Sequence, residues 1–369
     1  KMDPVDPVAR TVRVEAGAVT QSVHEHAAEH GLTWPVDFAS SGSSQIGGNI
    51  ATNAGGIRVV RYGLTRQWVL GLEVVTMDGE ILHLNGALEK NNTGIDLRQL
   101  FIGSEGTLGI ITAATLKLER LPSETRVALF GVQGLAEALQ LFRSVREAHG
   151  FDLMAFEFLT DACLDVVEAE GAAQSPFAER SPAYVLVELE ARGDWSAADA
   201  WMEKIFEAGL VLDGVLADSS QRSRELWSVR EGISESLSKT GFVHKNDVSL
   251  PVSRLPDFVG RLQSTLQERY PDFRVFLFGH VGDGNVHINI MKPDDWDTER
   301  FIATCHETDE VLFALIREFD GSISAEHGIG LLKKPFLPYS RSPAELALFR
   351  RLKQVFDPRG RLNPGKVFD

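Results

Sequence analysis

The sequence predicts an α+β protein built as two domains, and three features carry that expectation. The first third is glycine-rich and strand-like. After Leu121-Pro122 the composition shifts to amphipathic helices that alternate with strands. A chain of 369 residues with 43% hydrophobic content can also bury a large core, more in keeping with two domains than one.

Within the first third, β-branched runs at Thr11 to Val14 and Gly71 to Met77 read as strands, and Val69 to Leu84 reads as a hairpin about Asp78-Gly79. Between them lies Ser40 to Gly56 (SSGSSQIGGNIATNAGG), where glycines crowd at a density that serves unusual backbone angles or close approach to something bulky. A flexible linker is the alternative, and Ile46, Ile50, Ala51 and two asparagines argue against it. Ile102 to Ile111 (IGSEGTLGII) repeats the theme, with backbone donors around Gly103, Ser104, Glu105, Gly106 and Thr107 suited to a large polar ligand. No G-x-G-x-x-G follows a strand, which disfavours a nicotinamide cofactor held in a Rossmann fold.

Beyond Pro122, Leu135 to His149, Ala197 to Ala208 and Leu226 to Leu237 have helical spacing, and Tyr184 to Leu189 reads as a strand. Arg230 and Ser234 stand i, i+4 on the third helix, a pairing that could grip a carboxylate or form a solvated polar face. In Lys245 to Pro251, Val248 and Leu250 point one way while Lys245, Asp247 and Ser249 point the other, bringing a second cation. Asp309 to Phe319 and Ala344 to Phe356 are helical again, and the turn-rich Asp357 to Lys366 stops at Asn363-Pro364-Gly365.

The chemistry concentrates in two runs. Phe276 to Asn289 (FLFGHVGDGNVHIN) places two histidines about Asp283-Gly284, a strong signal for a two-residue type I′ hairpin loop. That register sets His280 opposite His287, with Cβ atoms roughly 4.5–5.5 Å apart and able to converge on one ion. Asn289 shares their face, and Val286, Ile288 and Ile290 face a core. Ser322 to Leu331 (SISAEHGIGL) adds Glu326 and, next to it, His327, whose imidazole suits a proton acceptor near neutral pH. Two histidines and one carboxylate with an open position form the pattern of a catalytic zinc site. Any one of these histidines alone fits a satisfied core or surface; four such groups beside glycine turns favour a divalent metal. Zinc leads from ligand type, while iron, cobalt or manganese accept similar donors.

Charge and cysteine content bound the partners. A net charge of −15 repels phosphate backbones and anionic lipid, so nucleic acid is not expected. Two cysteines, Cys163 and Cys305, exclude a disulfide framework and fit a reducing compartment. No apolar stretch is long enough to span a membrane, and the expected location is the cytoplasm, at most peripheral to a membrane.

In order along the chain, SSGSSQIGGNIATNAGG, IGSEGTLGIIT, FGHVGDGNVHIN, SAEHGIGLLKK and DPRGRLNPGKVF resemble the FAD-linked oxidase family of the vanillyl-alcohol-oxidase type. That family includes D-lactate, glycolate and D-2-hydroxyglutarate dehydrogenases. The resemblance covers essentially the whole chain. It implies the second part of an FAD-binding domain over residues 1–122, a substrate-binding cap domain with an antiparallel sheet flanked by helices over 123–352, and a tail, 353–369, returning to the FAD domain. It implies that Pro35, Asp37, Ser43, Ile46, Gly47, Asn49, Thr52, Asn53, Gly55, Glu105, Gly106, Thr107, Gly109, Ile110 and Asn363 surround FAD. It further implies His280, His287 and Glu326 as metal ligands, His327 as base, and Arg230, Ser234, Lys245 and Asn289 as substrate-holding residues.

The implied reaction is oxidation of a D-2-hydroxy acid to the 2-oxo acid with hydride transfer to flavin. Lys245 to Ser249 (KNDVS) is most similar to the D-2-hydroxyglutarate branch, and two cations suit a dicarboxylate; D-lactate, D-malate and glycolate are the alternatives within the family. A flavin transferase of the alkyl-dihydroxyacetone-phosphate synthase type is the alternative from another class. Expected partners are the 2-hydroxy acid, an electron acceptor such as an electron-transfer flavoprotein or quinone, and a second copy in a homodimer. Family members carry a glycine-rich pyrophosphate loop ahead of these motifs, and none precedes Lys1 in this sequence, so the expectation is an N-terminally truncated chain that lacks that half of the FAD cradle, with retention of FAD and activity left open.

Overall fold

The computed structural model describes residues 1–368 and divides into two compact units: Lys1–Leu121 together with the segment from Glu326 onward, and Pro122–Ala325. In the first unit the chain runs through β1 (Thr11–Glu15), α1 (Thr20–Ala28), β2 (Leu32–Thr33), α2 (Ile46–Thr52), α3 (Val59–Tyr62), β3 (Val69–Val75), β4 (Ile81–Leu84), α4 (Arg98–Phe101), β5 (Ile110–Lys117) and β6 (Glu119–Arg120). An antiparallel sheet of order β1-β5-β3-β4 forms because apolar residues alternate: Val12 and Val14 are buried while Arg13 and Glu15 are exposed. The expected hairpin joins β3 to β4, with Thr76 N donating to Glu80 O at 2.9 Å and Gly79 at φ +82°. Val12, Val14, Trp34, Ile46, Ile50, Val74, Phe101 and Leu116 fill the core.

The second unit comprises β7 (Thr125–Val132), α5 (Leu135–Glu147), β8 (Phe151–Thr160), α6 (Asp161–Ala169), β9 (Ala183–Ala191), α7 (Ser196–Glu207), β10 (Asp213–Leu216), α8 (Ser220–Glu231), α9 (Ile233–Thr240), β11 (Val243–Ser249), α10 (Leu255–Arg269), β12 (Arg274–Gly279), β13 (Asn285–Met291) and α11 (Thr298–Glu318). Its seven strands pair antiparallel in the order β10-β7-β9-β8-β12-β13-β11. The central strands are buried on both faces, so β9 (AYVLVELEA) reads as a nearly continuous apolar run instead of an alternating one. One face packs on α6, α8 and α9 through Leu129, Leu159, Leu164, Leu186, Leu226, Val229, Ile233, Leu237, Phe276 and Phe278. The helix expected over Leu226 to Leu237 is two helices, and Gly232 is the break: a Cβ there would sit 2.7 Å from Ser228 O and 3.2 Å from Ala172 Cβ.

The chain re-enters the first unit at Glu326, earlier than the expected return at 353. The reason is a carboxylate: Glu105 accepts from the amides of Ile329 and Gly330, each at 2.8 Å, tying this segment to the loop before β5. A last helix, α12 (Pro343–Phe356), opens with a capping box between Ser342 and Glu345. It lays Phe356 edge-on against Phe101 at 5.3 Å. No helix among the described residues is long and apolar enough to cross a membrane.

Asp357 closes the C-terminal turn, accepting from Lys353 Nζ and from Leu362 N, both at 2.6 Å. Burial alone would raise its pKa, but Lys353 and the amides of Leu362 and Arg361 outweigh it and hold the carboxyl down at about 2. A depressed carboxylate stabilises the fold above its unfolded value, 3.8, and that contribution disappears as pH falls through about 2. Asp357→Asn is therefore expected to cost about 2 kcal/mol at neutral pH. Denaturant unfolding of variant and wild type should converge as pH drops from about 4 to about 2.

Candidate functional site

The two predicted histidines come together in the second unit, by a different register from the expected one. Phe278, not His280, stands opposite His287, and Phe276 stands opposite Asn289. A type I′ turn needs positive φ at both central residues. Of Asp283 and Gly284, only Gly284 takes one, at +92°. The loop instead closes over five residues, with Asp283 N and Asn285 N both donating to His280 O, at 3.0 and 3.2 Å. Gly284 also abuts the residue that follows β11: its carbonyl accepts from Leu250 N at 3.0 Å, and a Cβ would lie 2.2 Å from Leu250 O. The imidazoles still meet, with ring centroids 5.5 Å apart and planes at 82°.

Behind each imidazole lies a buried carboxylate. Phe278 pairs with Leu159 and Gly279 with Phe158, so the same ladder carried one step further sets His280 against Glu157 on β8. His280 Nδ1 donates to Glu157 Oε1 at 2.5 Å, since an ionised carboxylate only accepts. Asp247 on β11 pairs with His287, with its Oδ1 3.7 Å from His287 Nδ1 and accepting from Asn285 Nδ2 at 2.8 Å. At His280 the carboxylate hydrogen-bonded to Nδ1 fixes the tautomer that leaves Nε2 with its lone pair, the arrangement found behind metal-bound imidazoles, while Asp247 faces His287 Nδ1 at ion-pair distance. The donor chemistry therefore fits a divalent cation.

Glu157 is fully buried on a strand otherwise rich in Phe, Leu and Ala. Burial pushes its pKa up, but the charges and hydrogen bonds of His280 and Arg230 outweigh that and hold the carboxyl below its ordinary value. Arg230 Nε donates to its second oxygen at 2.7 Å, and the guanidinium lies over the Phe278 ring at 4.8 Å. Arg230 and Ser234 thus belong to α8 and α9 respectively, and Arg230 is buried beside the sheet. Lys245 is paired with Asn289 across β11 and β13; its Nζ reaches Ser238 Oγ at 3.0 Å and it stays exposed, while Asn289 is buried. Side chains alternate, so Lys245, Asp247, His287 and Asn289 share one face. Glu157 went unnoticed in the sequence, although a carboxylate inside the apolar run Leu153 to Leu159 (LMAFEFL) was its signal.

The segment leading to Glu326 is pinned at Ser322, whose backbone pairs with Ser249 at the end of β11 through bonds of 3.0 and 2.7 Å. Glu326 follows Ala325 directly and is half-buried; His327 is exposed and precedes Gly328 at φ +74°. Neither cysteine is poised as a nucleophile: burial pushes Cys163 up to about 11 and Cys305 up to about 12.

The residues expected around FAD all lie in the first unit, and several are committed to packing. Ile46 is in the core, Asn49 Nδ2 donates to Thr20 Oγ1 at 2.7 Å, and a Cβ on Gly109 would fall 2.6 Å from Val74 Cγ1. Asn53 is left-handed and accepts from Arg66 N at 3.0 Å; Asn363 Nδ2 donates to Glu105 O at 2.6 Å; Thr107 Oγ1 donates to Ser104 O at 2.7 Å. An open recess of about 240 Å³ is lined by His24, Trp34, Pro35, Asp37 and Arg58. The buried indole N–H of Trp34 beside it has no acceptor among the described residues, which suits a ligand carrying acceptor atoms.

Comparison with known proteins gives a consistent frame. Residues 121–367 match the model described as FAD linked oxidases, C-terminal domain, and residues 1–85 match FAD binding domain. The chain is 50% identical over 98% of its length to a protein named D-2-hydroxyglutarate dehydrogenase from Xanthomonas citri pv. viticola, spanning 76% of that relative. It is 46% identical over 97% of its length to one of the same name from Stutzerimonas stutzeri, spanning 77% of it. With the mitochondrial protein of that name from Bos taurus it shares 43% identity over 96% of this chain, but spans only 64% of the relative. A solved alkyldihydroxyacetonephosphate synthase superposes with a TM-score of 0.70 at 17% identity, over 99% of this chain and 66% of the synthase.

The strand bearing Lys245 and Asp247 is the last in its sheet, paired along its length with β13 and at its end with Ser322. From behind, Asp309 on α11 grips it twice: His244 Nε2 at 2.7 Å and Asn246 Nδ2 at 2.8 Å meet the same carboxylate oxygen. Removing a buried charged acceptor leaves its donors unsatisfied, at about 1.5–3 kcal/mol. Asp309→Ala should therefore destabilise the unit by about that amount, and amide hydrogen exchange should accelerate over residues 243–249 before it does in β9.

Proposed function

The chain belongs to the FAD-linked oxidase family of FAD-dependent oxidoreductases, and from that premise we propose that it oxidises D-2-hydroxyglutarate to the 2-oxo acid, using a divalent cation, zinc first, held by His280, His287 and Glu326. The observation that carries this reading is the pair of carboxylate-backed imidazoles lying beside two cations, Arg230 and Lys245, in one unit. The names of the relatives at 43–50% identity support the substrate.

When bound, FAD supplies a two-electron acceptor and the cation a Lewis acid that lowers the pKa of a coordinated hydroxyl. Pro35, Asp37, Ser43, Gly47, Asn49, Thr52, Asn53, Gly55, Glu105, Gly106, Thr107, Gly109, Ile110 and Asn363 would cradle the flavin nucleotide, largely through backbone, with Ile46 supporting them from the core. His327 takes the substrate hydroxyl proton at its imidazole nitrogen, a role that an exposed histidine beside glycine can fill. Arg230 offers a fork of N–H donors to the distal carboxylate, and Lys245 a point charge to the same group. Asn289 and Ser234 fix the remaining oxygens. Clamping both ends of the substrate holds its C2 hydrogen in one orientation, which is where most of the positioning gain arises. The electrons then leave to a second acceptor, an electron-transfer flavoprotein or a quinone.

D-lactate is the second reading, on the strength of a 39% identical relative from Schizosaccharomyces pombe named as a putative D-lactate dehydrogenase. A transferase reading rests on a shared fold alone. The two substrates part at Lys245. Lys245→Ala should raise KM for D-2-hydroxyglutarate by roughly 10–100-fold, the worth of a charge-assisted hydrogen bond, and leave D-lactate nearly unchanged. Equal losses on both acids would remove the case for a dicarboxylate. Elemental analysis of the same preparation, with activity before and after chelation, tests the cation: one equivalent of metal and a chelator-sensitive rate are expected.

A further inference from the structure

Glu157 has no part in the chemistry assigned above, yet it is a fully buried carboxylate whose two oxygens serve two different functional side chains. Oε1 accepts from His280 Nδ1 at 2.5 Å and Oε2 from Arg230 Nε at 2.7 Å. Its neighbours along β8 include Phe156, Phe158 and Leu159, all buried. A charge persists in such surroundings only where specific partners compensate it.

We propose that Glu157 is a positioning residue that couples cation binding to recognition of the substrate's far carboxylate. This rests on the function proposed above and deepens it. One carboxylate is planar and short, so the side chains on its two oxygens cannot move independently. On one side it orients the His280 ring with Nε2 as the metal-binding atom. On the other it engages only the Nε of Arg230, leaving the Nη1 and Nη2 edge for a bidentate contact with a carboxylate. Phe278 under the guanidinium fixes its plane. The separation between cation and guanidinium is thereby set by one rigid group, and that separation is a gauge of substrate length. A 2-hydroxy acid with a distal carboxylate reaches both; a 2-hydroxy acid with a methyl group reaches one.

The test is Glu157→Gln in the FAD-loaded full-length enzyme. Glutamine keeps the shape but turns one acceptor oxygen into an N–H donor that faces another donor. Zinc affinity, read by competition with a chelating dye and so independent of turnover, should fall about 10- to 100-fold. With zinc restored to saturation, KM for D-2-hydroxyglutarate should remain at least tenfold raised, and that for D-lactate should change far less. Arg230→Ala should reproduce the KM effect with near wild-type zinc affinity, and His280→Ala the zinc effect. A folded Glu157→Gln enzyme with wild-type zinc affinity, or with zinc loss but no KM shift on the dicarboxylate, overturns the coupling. If His280→Ala also binds zinc like wild type, the cation reading falls and takes the coupling with it. Should Glu157→Gln not fold, Glu157→Asp replaces it, a charge too short to span both partners. Lower zinc affinity together with a raised KM for the dicarboxylate in that variant supports the coupling, and a wild-type value for either one overturns it.

Discussion

The register of β13 against its two neighbours is the constraint on which the second unit's site depends. His287 stands between Phe278 and Asp247, and Asn289 between Phe276 and Lys245. A slip of one residue would turn His287 and Asn289 into the core and bring Ile288 and Ile290 onto the polar face. Burial of Val286, Ile288 and Ile290 forbids that slip, because three large apolar side chains would lose about 2 kcal/mol each. The core on one side of the strand thus holds the donors on the other side in place.

Buried carboxylates do the remaining positioning, and each follows the same rule. Glu157 is answered by an imidazole and a guanidinium, Asp309 by an imidazole and an amide, and Asp357 by an ammonium and a backbone N–H. The partners of Glu157 come from two separate stretches of chain, Asp309 ties a helix to two residues of one strand, and Asp357 closes a local turn. A buried charge is weak evidence for stability but strong evidence for geometry, since breaking one partner costs more than the intact pair contributes. The acidic side chains in the interior therefore serve to join strands, helices and turns at fixed distances.

Much of this was legible in the sequence because the signals were local. The alternation in Lys245 to Pro251 gave the correct faces, the Asp78-Gly79 hairpin formed, and the helices over 135–147, 196–207 and 343–356 follow their apolar spacing. What escaped was non-local. The histidine hairpin opened from two residues to five because Gly284 is drawn against Leu250, a contact no local turn rule contains. Gly232 split one expected helix where the segment at Ala172 approaches closely. The early return at Glu326 depends on Glu105, more than two hundred residues away. Glu157 needed the register of β8 with β12 before its lone charge acquired a meaning.

The two cations proposed for the substrate are not equivalent, and the difference follows from burial. Arg230 shares its charge with Glu157, so to a first approximation the pair is neutral and its attraction for a carboxylate is short-ranged, set by hydrogen-bond direction. Lys245 is exposed and its nearest partner is a hydroxyl, so it acts as an uncompensated charge whose field salt screens over about 8–10 Å. On a chain of net charge −15 an anion is repelled at long range, and a lone lysine at the edge strand offsets that only locally. On the proposed function, attraction into the site would fall to Lys245, and discrimination once there to Arg230. That division would make an edge strand answerable for capture and the buried side chains beside the sheet answerable for fit.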